Sequence, residues 1–558
     1  MSVADIAPDG WHIFVPGDLM ARMYPGTIRD RKRGGWMIPM TVDAVRFLNY
    51  EHIDMSDRLS DYAVKLQNAR IWAANMKTQP EPAPWKEPPI RAPYKLYQHQ
   101  VRAYNIALAQ RSCALLMDMG TGKSLTTVMV AGRRYLDGQV KRLLVVAPAS
   151  VCSVWEDEFP KFGNFACRVG VMLGTRQHRE RVLKGLTAPA LGATQPLQVL
   201  VINYESAWRF ADELRDFAPD MVVLDESQRI KTPSAKQSKF LHGIGDMARY
   251  KLILTGTPIQ KDTRDLWSQY RFLDPTVFAM NYTIFQRRYA VMGGFENRQY
   301  LGPRNLDELT RKAHAIAYQV KKEECLDLPE KTFETLPVVM GANASRIYEA
   351  LVKDSIAALS LVEDSETVTA AHVLTRMIRL QQLTGGFVVD DDGKKHLVDS
   401  AKLDAAENII QNLCVEEGKK LVIFARFLAE MDEIQKRIES MGIGLVRIDG
   451  SVPSKDRGEL VKAFQTDERV QVFLGELDAC AEGLTLTAAQ TVLYYSVNWN
   501  FAKYDQSVAR IHRIGQTGTC NYIHLIVRGT IDETIMAALG RKENLANSFA
   551  TGWRTIIH

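Results

Sequence analysis

Gly120, Thr121, Gly122, Lys123 and Ser124 stand in a row inside LLMDMGTGKS, where an apolar run gives way to SLTTVMVAGRRYL. Small residues let a backbone turn tightly with its N–H groups facing inward, and an anion can rest on such a ring of donors. A lysine next in line brings a point charge to β- and γ-phosphates. A serine hydroxyl offers Mg2+ an oxygen, and the start of a following helix favours negative charge. The strict pattern has a glycine five residues before Gly122, and this chain has Met117 there. A tight turn that merely ends a strand is the plain alternative, so the reading depends on acids and arginines elsewhere.

The acids follow in MVVLDESQRIK, where Asp225 and Glu226 close an apolar run. Strand carboxyl ends face the ligand crevice in α/β folds. Asp225 is there positioned to hold Mg2+, and Glu226 to orient and deprotonate a water attacking a γ-phosphate. An isolated Asp-Glu pair also caps helices; downstream of GTGKS the catalytic reading carries more weight. Arg510 and Arg513, in DQSVARIHRIGQ, lie three apart and on a helical turn share one face. Guanidinium groups there suit charge developing on a transferring phosphoryl group, whereas a solvated basic helix is the bland reading.

These residues need scaffolds. RLLVVAP, QVLVINY, MVVLDES and KLILTGT are short β-branched runs without polar alternation, which a parallel sheet covered on both faces requires. KLVIFAR, GLVRIDG, VQVFLGE, TVLYYSV and NYIHLIV repeat the plan after residue 420. The spacing predicts two α/β lobes, at 94–275 and 401–558, the second ending in a helix. Residues 276–400, where helical periodicity dominates, form insertions between them. The proline-rich stretch TQPEPAPWKEPPIRAP at 78–93 reads as a semi-rigid linker with few long-range contacts, and sets off a small domain at 1–77.

At 558 residues the chain exceeds what one core serves. Its composition, 46% hydrophobic and 24% charged, is that of a soluble globular protein. No run is long enough for a membrane span and the N-terminus lacks a signal-peptide plan, so a cytoplasmic protein without membrane partners is expected. Seven scattered cysteines without a C-x-x-C pair argue against zinc and against disulfides. A net charge of +5 permits nucleic-acid binding without demonstrating it.

LYQHQVRAYNIAL, DMGTGKS, LLVVAPASVCSVWEDEFPKF, INYES, VVLDESQRIKT, LILTGTPIQKDTRDLWSQYRFLDP, LVIFARF, RIDGSVPSKDRGELVKAFQ, AEGLTLTAAQTVLYYSVNWN and DQSVARIHRIGQ resemble, in order, the motif set of superfamily 2 ATPases in their SWI/SNF-related branch. The resemblance covers residues 94–540 and implies tandem RecA-like lobes using ATP and Mg2+. It implies that Gln100 recognises adenine and that Gly120, Thr121, Gly122, Lys123, Ser124 and Gly483 contact the nucleotide. It implies further that Ser124 and Asp225 hold Mg2+, that Glu226 activates water and that Arg510 and Arg513 are arginine fingers. Thr255, Thr257 and Gln228 couple hydrolysis to movement. Pro148, Ser150, Asn203, Tyr204, Arg426, Thr485 and Trp499 belong to segments that track or sense DNA. Departures from the common pattern are Gln228 in place of histidine in the acidic box, a less glycine-rich AEGLTLTAAQ, and Phe501 where proline is usual after WN.

MARMYPGTIRDRKRGGWMIPMTVDAVRFLNYE resembles the small HARP-type recognition domains that precede annealing-helicase motors; a structural cap with Trp36 in its core is the alternative. The expected protein is a monomeric, ATP-dependent double-stranded DNA translocase that remodels branched DNA or displaces bound proteins. A strand-separating helicase, and a nucleotide-gated DNA-binding module with negligible turnover, are the rivals. The compact plan, free of charged tails, points to a prokaryotic or phage source and a nucleoid-associated place of work.

Overall fold

The computed structural model describes residues 3–17, 20–189, 195–260, 262–278, 281–294, 299–325, 328–363, 370–390, 393–480, 484–513 and 515–541. It divides into two compact units, Met1–Leu326 and Asp327–His558.

The first unit is built on a seven-stranded, wholly parallel sheet. Its order is Ala317–Val320, Ser112–Met117, Tyr250–Leu254, Met221–Asp225, Arg142–Ala147, Leu197–Asn203 and Cys167–Met172. Alternate side chains feed two apolar layers: Leu115, Met117, Val145 and Val223 enter one, Ala114, Leu116, Val146 and Leu224 the other. Burial on both faces explains why these strands read as unbroken apolar runs. Behind the sheet, the helix Gln98–Ala109 ends against Arg134, whose guanidinium donates to the carbonyls of Ala107 (2.9 Å) and Gln110 (2.7 Å) and lies 3.7 Å over the Tyr250 ring. A buried arginine thus satisfies orphan carbonyls at a helix end.

A four-stranded antiparallel sheet precedes this lobe, ordered Asp5–Ile6, His12–Pro16, Gly35–Pro39 and Ile28–Asp30, with the helices Val42–Tyr50 and Asp57–Met76. The Thr41 and Ser56 hydroxyls cap the two helices. Ile13, Val15, Ile38, Leu48 and Leu59 form its core, and Trp36 packs half-buried against it beneath the Arg29 guanidinium, 4.5 Å from the ring centroid. Trp36 thus stands at the margin of this core and not within it. The domain docks on the lobe through Arg111, which donates to the Trp11 carbonyl (2.9 Å) and the Tyr62 hydroxyl (2.6 Å).

The proline-rich connector differs from the free spacer read from composition. Trp85 N–H donates to Asn105 (2.8 Å), Asn105 to the Ala83 carbonyl (2.8 Å), Lys86 pairs with Asp137 (2.6 Å), and Arg91 N–H reaches the Phe162 carbonyl (2.8 Å). Proline removes donors from a segment, but its carbonyls and the intervening N–H groups remain to be satisfied. Here the lobe surface satisfies them, so the connector is a strap.

The second unit carries a six-stranded parallel sheet in the order Lys331–Val338, Cys520–Val527, Thr491–Tyr494, Leu421–Ala425, Val470–Glu476 and Gly444–Ile448. Val422, Phe424 and Phe473 face one layer; Leu421, Ile423, Val472 and Leu474 face the other. The stretch 276–400 is therefore shared between the units: Ala317–Val320 extends the first sheet, and Lys331–Val338 the second. Among the described residues no helix is long and apolar enough to cross a membrane.

One buried ion pair locks the second unit: Lys402 Nζ lies 2.7 Å from Asp532, both side chains at most 4% exposed, and Asp532 also accepts from Thr384 and Val527. Removing one partner strands a buried charge, a loss of about 3–5 kcal/mol. Lys402→Met should lower the denaturant midpoint of this unit accordingly, and a shift below about 1 kcal/mol would mean that hydrogen bonds from Thr384 and Val527 alone carry Asp532.

Candidate nucleotide site

All seven strands of the first sheet are parallel, so their carboxyl ends share one edge. Register places Leu254 beside both Leu115 and Asp225, and Ala147 beside Asn203. The loop after Met117, the acids after Leu224, the Thr255–Thr257 segment and the turns at Pro148 and Asn203 consequently emerge along that edge.

At the loop, Gly120 and Gly122 adopt φ of 81° and 88°, and Gly122 caps the helix Lys123–Leu136 in left-handed geometry. A Cβ on Gly122 would meet Gln100 Nε2 at 2.2 Å. Gln100 is buried under the loop, donating through Nε2 to the Thr121 carbonyl (3.0 Å) and accepting from Tyr97 N–H (3.0 Å). His99 also reaches the Thr121 carbonyl, at 2.8 Å, and burial holds its pKa below the ordinary histidine value. The structure thus puts Gln100 in contact with the loop backbone. Lys123 folds back onto the carbonyls of Met117 (2.8 Å) and Asp118 (3.3 Å), and half-buried Ser124 opens the helix beside it.

Asp225 is buried. One carboxylate oxygen accepts from Trp155 Nε1 (3.0 Å), the other from Glu226 N–H (3.0 Å), and its carbonyl accepts from the Tyr204 hydroxyl (2.8 Å). Burial first, and the Glu226 charge second, raise its pKa, with Lys123 opposing. Each carboxylate oxygen keeps a free lone pair, and Mg2+ is usually bound through one or two carboxylates plus substrate phosphates. Asp225 with the Ser124 hydroxyl therefore fits that ion. Glu226 sits at φ 52°, a left-handed conformation costing on the order of 1 kcal/mol for a side chain of its kind. Its carboxylate is held by Gln228 Nε2 at 2.8 Å.

Thr255 N–H donates to the Leu115 carbonyl (3.2 Å) and Thr255 Oγ1 accepts from Thr257 N–H (3.0 Å). A Cβ on the intervening Gly256 would come within 3.3 Å of the Met117 carbonyl, so this segment lies against the start of the loop. Ser227 Oγ, bonded to Gln269 (2.8 Å), which itself donates to the Pro258 carbonyl (2.7 Å), joins the acids to that segment. Tyr204 is fully buried beneath Asp225, so its side chain is a support and not a surface contact; Asn203 is bonded to Glu205 (2.8 Å), and Pro148 is buried with Ser150 half-exposed beyond it. Sequence reading missed His99, Trp155 and Gln269, whose only signals were a QHQ triplet and polar atoms within apolar helices.

In the second unit the arginines converge: Arg510 and Arg513 both donate to the Leu484 carbonyl, at 3.0 and 2.9 Å, and Arg513 also to Thr485 Oγ1 (2.9 Å). Arg510 is 3% exposed and Arg513 half-buried. Gly483 lies outside the described residues. Arg426 stacks 3.7 Å over the Trp499 ring and bonds Gln381, burial pulling its pKa down to about 10. Behind it Glu430, fully buried, accepts from Arg426 and Phe427 N–H groups and from Ser496. Burial pushes its pKa up to about 7.

Two parallel-sheet lobes, the first gathering a glycine-lysine loop and an acid pair at its strand ends, define a helicase-like ATPase core. Residues 97–385 match the SNF2-related domain and 401–515 the helicase conserved C-terminal domain. The chain belongs to the SNF2-related family. It is 27% identical over 450 residues to the DNA annealing helicase and endonuclease ZRANB3 of Bos taurus, and 26% over 429 residues to the uncharacterized ATP-dependent helicase MG018 of Mycoplasma genitalium. Those matches cover 79% and 77% of this chain but 39% of each relative, so the chain spans about two-fifths of their length. The Sulfolobus solfataricus SWI2/SNF2 ATPase core in complex with dsDNA aligns with a TM-score of 0.39 at 24% identity, over 84% of this chain and 96% of that one.

Gly122→Ala should weaken ATP binding at least tenfold by titration calorimetry, since the methyl group needs both a disfavoured φ and the space held by Gln100. Wild-type affinity would show that the loop does not bind in this form. Glu430 supplies a pH signature. Its folded pKa of about 7 exceeds the ordinary value of 4.5, so the folded form holds the proton more tightly. Its contribution to stability is complete below about pH 4.5 and is lost as pH rises through 7. Glu430→Gln should remove that component, narrowing the difference in melting temperature between pH 5.5 and 8; an unchanged difference would contradict the assignment.

Proposed function

We propose that this chain is an ATP-driven motor that moves along double-stranded DNA. The observation that carries the reading is the gathering of the 120–124 loop, Asp225–Glu226 and Thr255–Thr257 at one sheet edge of an SNF2-related chain. In this reading the loop amides and Lys123 bind the phosphates, and Lys123 leaves its carbonyl partners to do so. Asp225 and Ser124 would hold Mg2+ together with the phosphates, and the ion would supply neutralising charge there. Glu226 orients and deprotonates the water, and Arg510 and Arg513 are the arginine fingers for the transferring phosphoryl group. Gln100 supports the adenine side.

Ser150, Asn203, Arg426, Thr485 and Trp499, with the segments at Pro148 and Tyr204, form the DNA track and its sensor. Contacts to backbone phosphates make such a motor indifferent to sequence. Thr255, Thr257 and Gln228 join hydrolysis to lobe movement, because Gly256 between the first two lies against the start of the loop and the third holds Glu226. The likeness to a DNA annealing helicase and endonuclease supports DNA as the track and remodelling of branched DNA as the work done on it. Residues 1–77 are the recognition or capping domain, 78–93 the strap, and the motor acts as a monomer in the nucleoid-bearing cytoplasm.

Duplex DNA of any sequence should raise ATP turnover, with affinity falling steeply in salt as about 0.9 counterions are released per phosphate contact. Glu226→Gln should keep ATP binding and lose roughly 10²–10⁴ in turnover. Turnover indifferent to duplex DNA would overturn the motor reading in favour of a binding module, and displacement of long strands on a forked duplex would make it a strand-separating helicase.

A further inference from the structure

At the opposite edge of the first sheet, where Ser112–Met117 and Tyr250–Leu254 begin, lies a cavity of about 690 Å³. Its far wall is the helix Asp57–Met76 of the N-terminal domain, and the strap closes one side with Trp85. Small-molecule sites favour such joints and run to ≈ 300–1,000 Å³.

The wall chemistry is cationic and aromatic. Lys65, Arg111, Arg134 and Arg249 line it, while Arg70 is paired with Asp43 at 3.2 Å. The other acid, Asp274, has one oxygen taken by Thr276 N–H (2.8 Å) and hydroxyl (2.6 Å). The cations therefore outnumber the acids left to balance them. Trp72 and Trp85 stand with ring centroids 5.3 Å apart, and Trp85 is 54% exposed although its backbone is anchored. Two lining residues also carry buried donor nitrogens without an acceptor, Nε2 of Gln110 and Nε of Arg249. An unmet buried donor costs about 1–3 kcal/mol, so both side chains gain by a small turn that brings these nitrogens to the cavity surface and onto an acceptor.

We propose that this cavity binds a nucleotide unit, its base against Trp72 and Trp85 and its phosphate drawn to Arg249 and Gln110. Aromatic faces accept any base, and a guanidinium beside an amide N–H suits phosphate oxygens. The site is separate from the 120–124 loop, since it lies at the amino ends of strands whose carboxyl ends carry that loop. Its ligand bridges the N-terminal domain, the strap and the motor lobe, so occupancy tightens their docking.

The chemistry is shared by a free mononucleotide and by the terminal nucleotide of a DNA strand. The test uses the full chain with the loop saturated by Mg2+ and AMP-PNP, titrated calorimetrically with dTMP and with 5′-phosphorylated (dT)3. Saturable binding of dTMP is expected, accompanied by a rise in melting temperature. Arg249→Gln and Gln110→Glu, on different segments, should each weaken it at least tenfold while AMP-PNP affinity stays the same. Tighter binding of the trinucleotide would identify a strand end as the occupant, and equal binding a free nucleotide. Absence of binding by either probe, or binding that both substitutions leave intact, would overturn the proposal.

Discussion

A parallel sheet has a single carboxyl edge, and the chemistry of the first unit hangs on that constraint. Met117, Ala147, Asn203, Asp225 and Leu254 end adjacent or near-adjacent strands in matched register. Whatever follows each of them is delivered to one rim, however far apart the segments lie in sequence. The helices that return the chain to the other edge cover both sheet faces, which demands unbroken apolar strands. Packing and site geometry are thus two consequences of one topology. The rim then needs only local devices: positive φ at Gly120 and Gly122, and a left-handed Glu226 held by Gln228.

Those devices leave the site arranged around buried charges held by main-chain and side-chain polar groups. Lys123 rests on main-chain carbonyls, and Asp225 is buried with burial raising its pKa. The same low dielectric that penalises the lone carboxylate strengthens its attraction for a cation once one arrives. Trp155 Nε1 and the Glu226 N–H each take one lone pair of the Asp225 carboxylate, while the Tyr204 hydroxyl grips its main-chain carbonyl from below. Rigidity comes from the apolar helix and strand that carry these groups, so the cost of ordering the site is met in folding and not on binding.

Much of this was legible in the sequence because the strongest signals are those that physics constrains most. The central strands announce themselves by composition, and the 120–124 loop and Asp225–Glu226 by residue type and spacing; Arg510 and Arg513 do converge, but on the Leu484 carbonyl from the turns after the helix Phe501–Val508 and not from a helical face. Edge strands were harder. Cys167–Met172, Ala317–Val320 and Lys331–Val338 are short or half-exposed, and lose the continuous apolar pattern that marks a strand covered on both faces. Hence 276–400 reads as purely helical insertion although it donates a strand to each sheet. The strap misled for another reason: proline density describes what a segment cannot do within itself, and is silent about the carbonyls it offers to a neighbour. Gln100 shows the same limit at the site, where a side chain quoted for its motif position is engaged with the Thr121 carbonyl beneath the loop.

The second unit extends the argument from position to readiness. Arginines are long and lose much rotamer freedom when fixed. Arg510 and Arg513 are already fixed, since both donate to the Leu484 carbonyl and Arg513 also to Thr485. Arg426 is likewise held flat on Trp499, with Gln381 at its edge and Glu430 bonding its main-chain N–H from behind. A guanidinium that exchanges a neutral carbonyl for a phosphate oxygen gains a charge-assisted bond and gives up little further entropy. The segment following Gly483 therefore joins two roles through one carbonyl and one hydroxyl: any movement that draws Arg513 toward a phosphate releases Thr485. A shift of the proposed nucleotide fingers thus reaches the proposed DNA track through hydrogen bonds to Leu484 and Thr485.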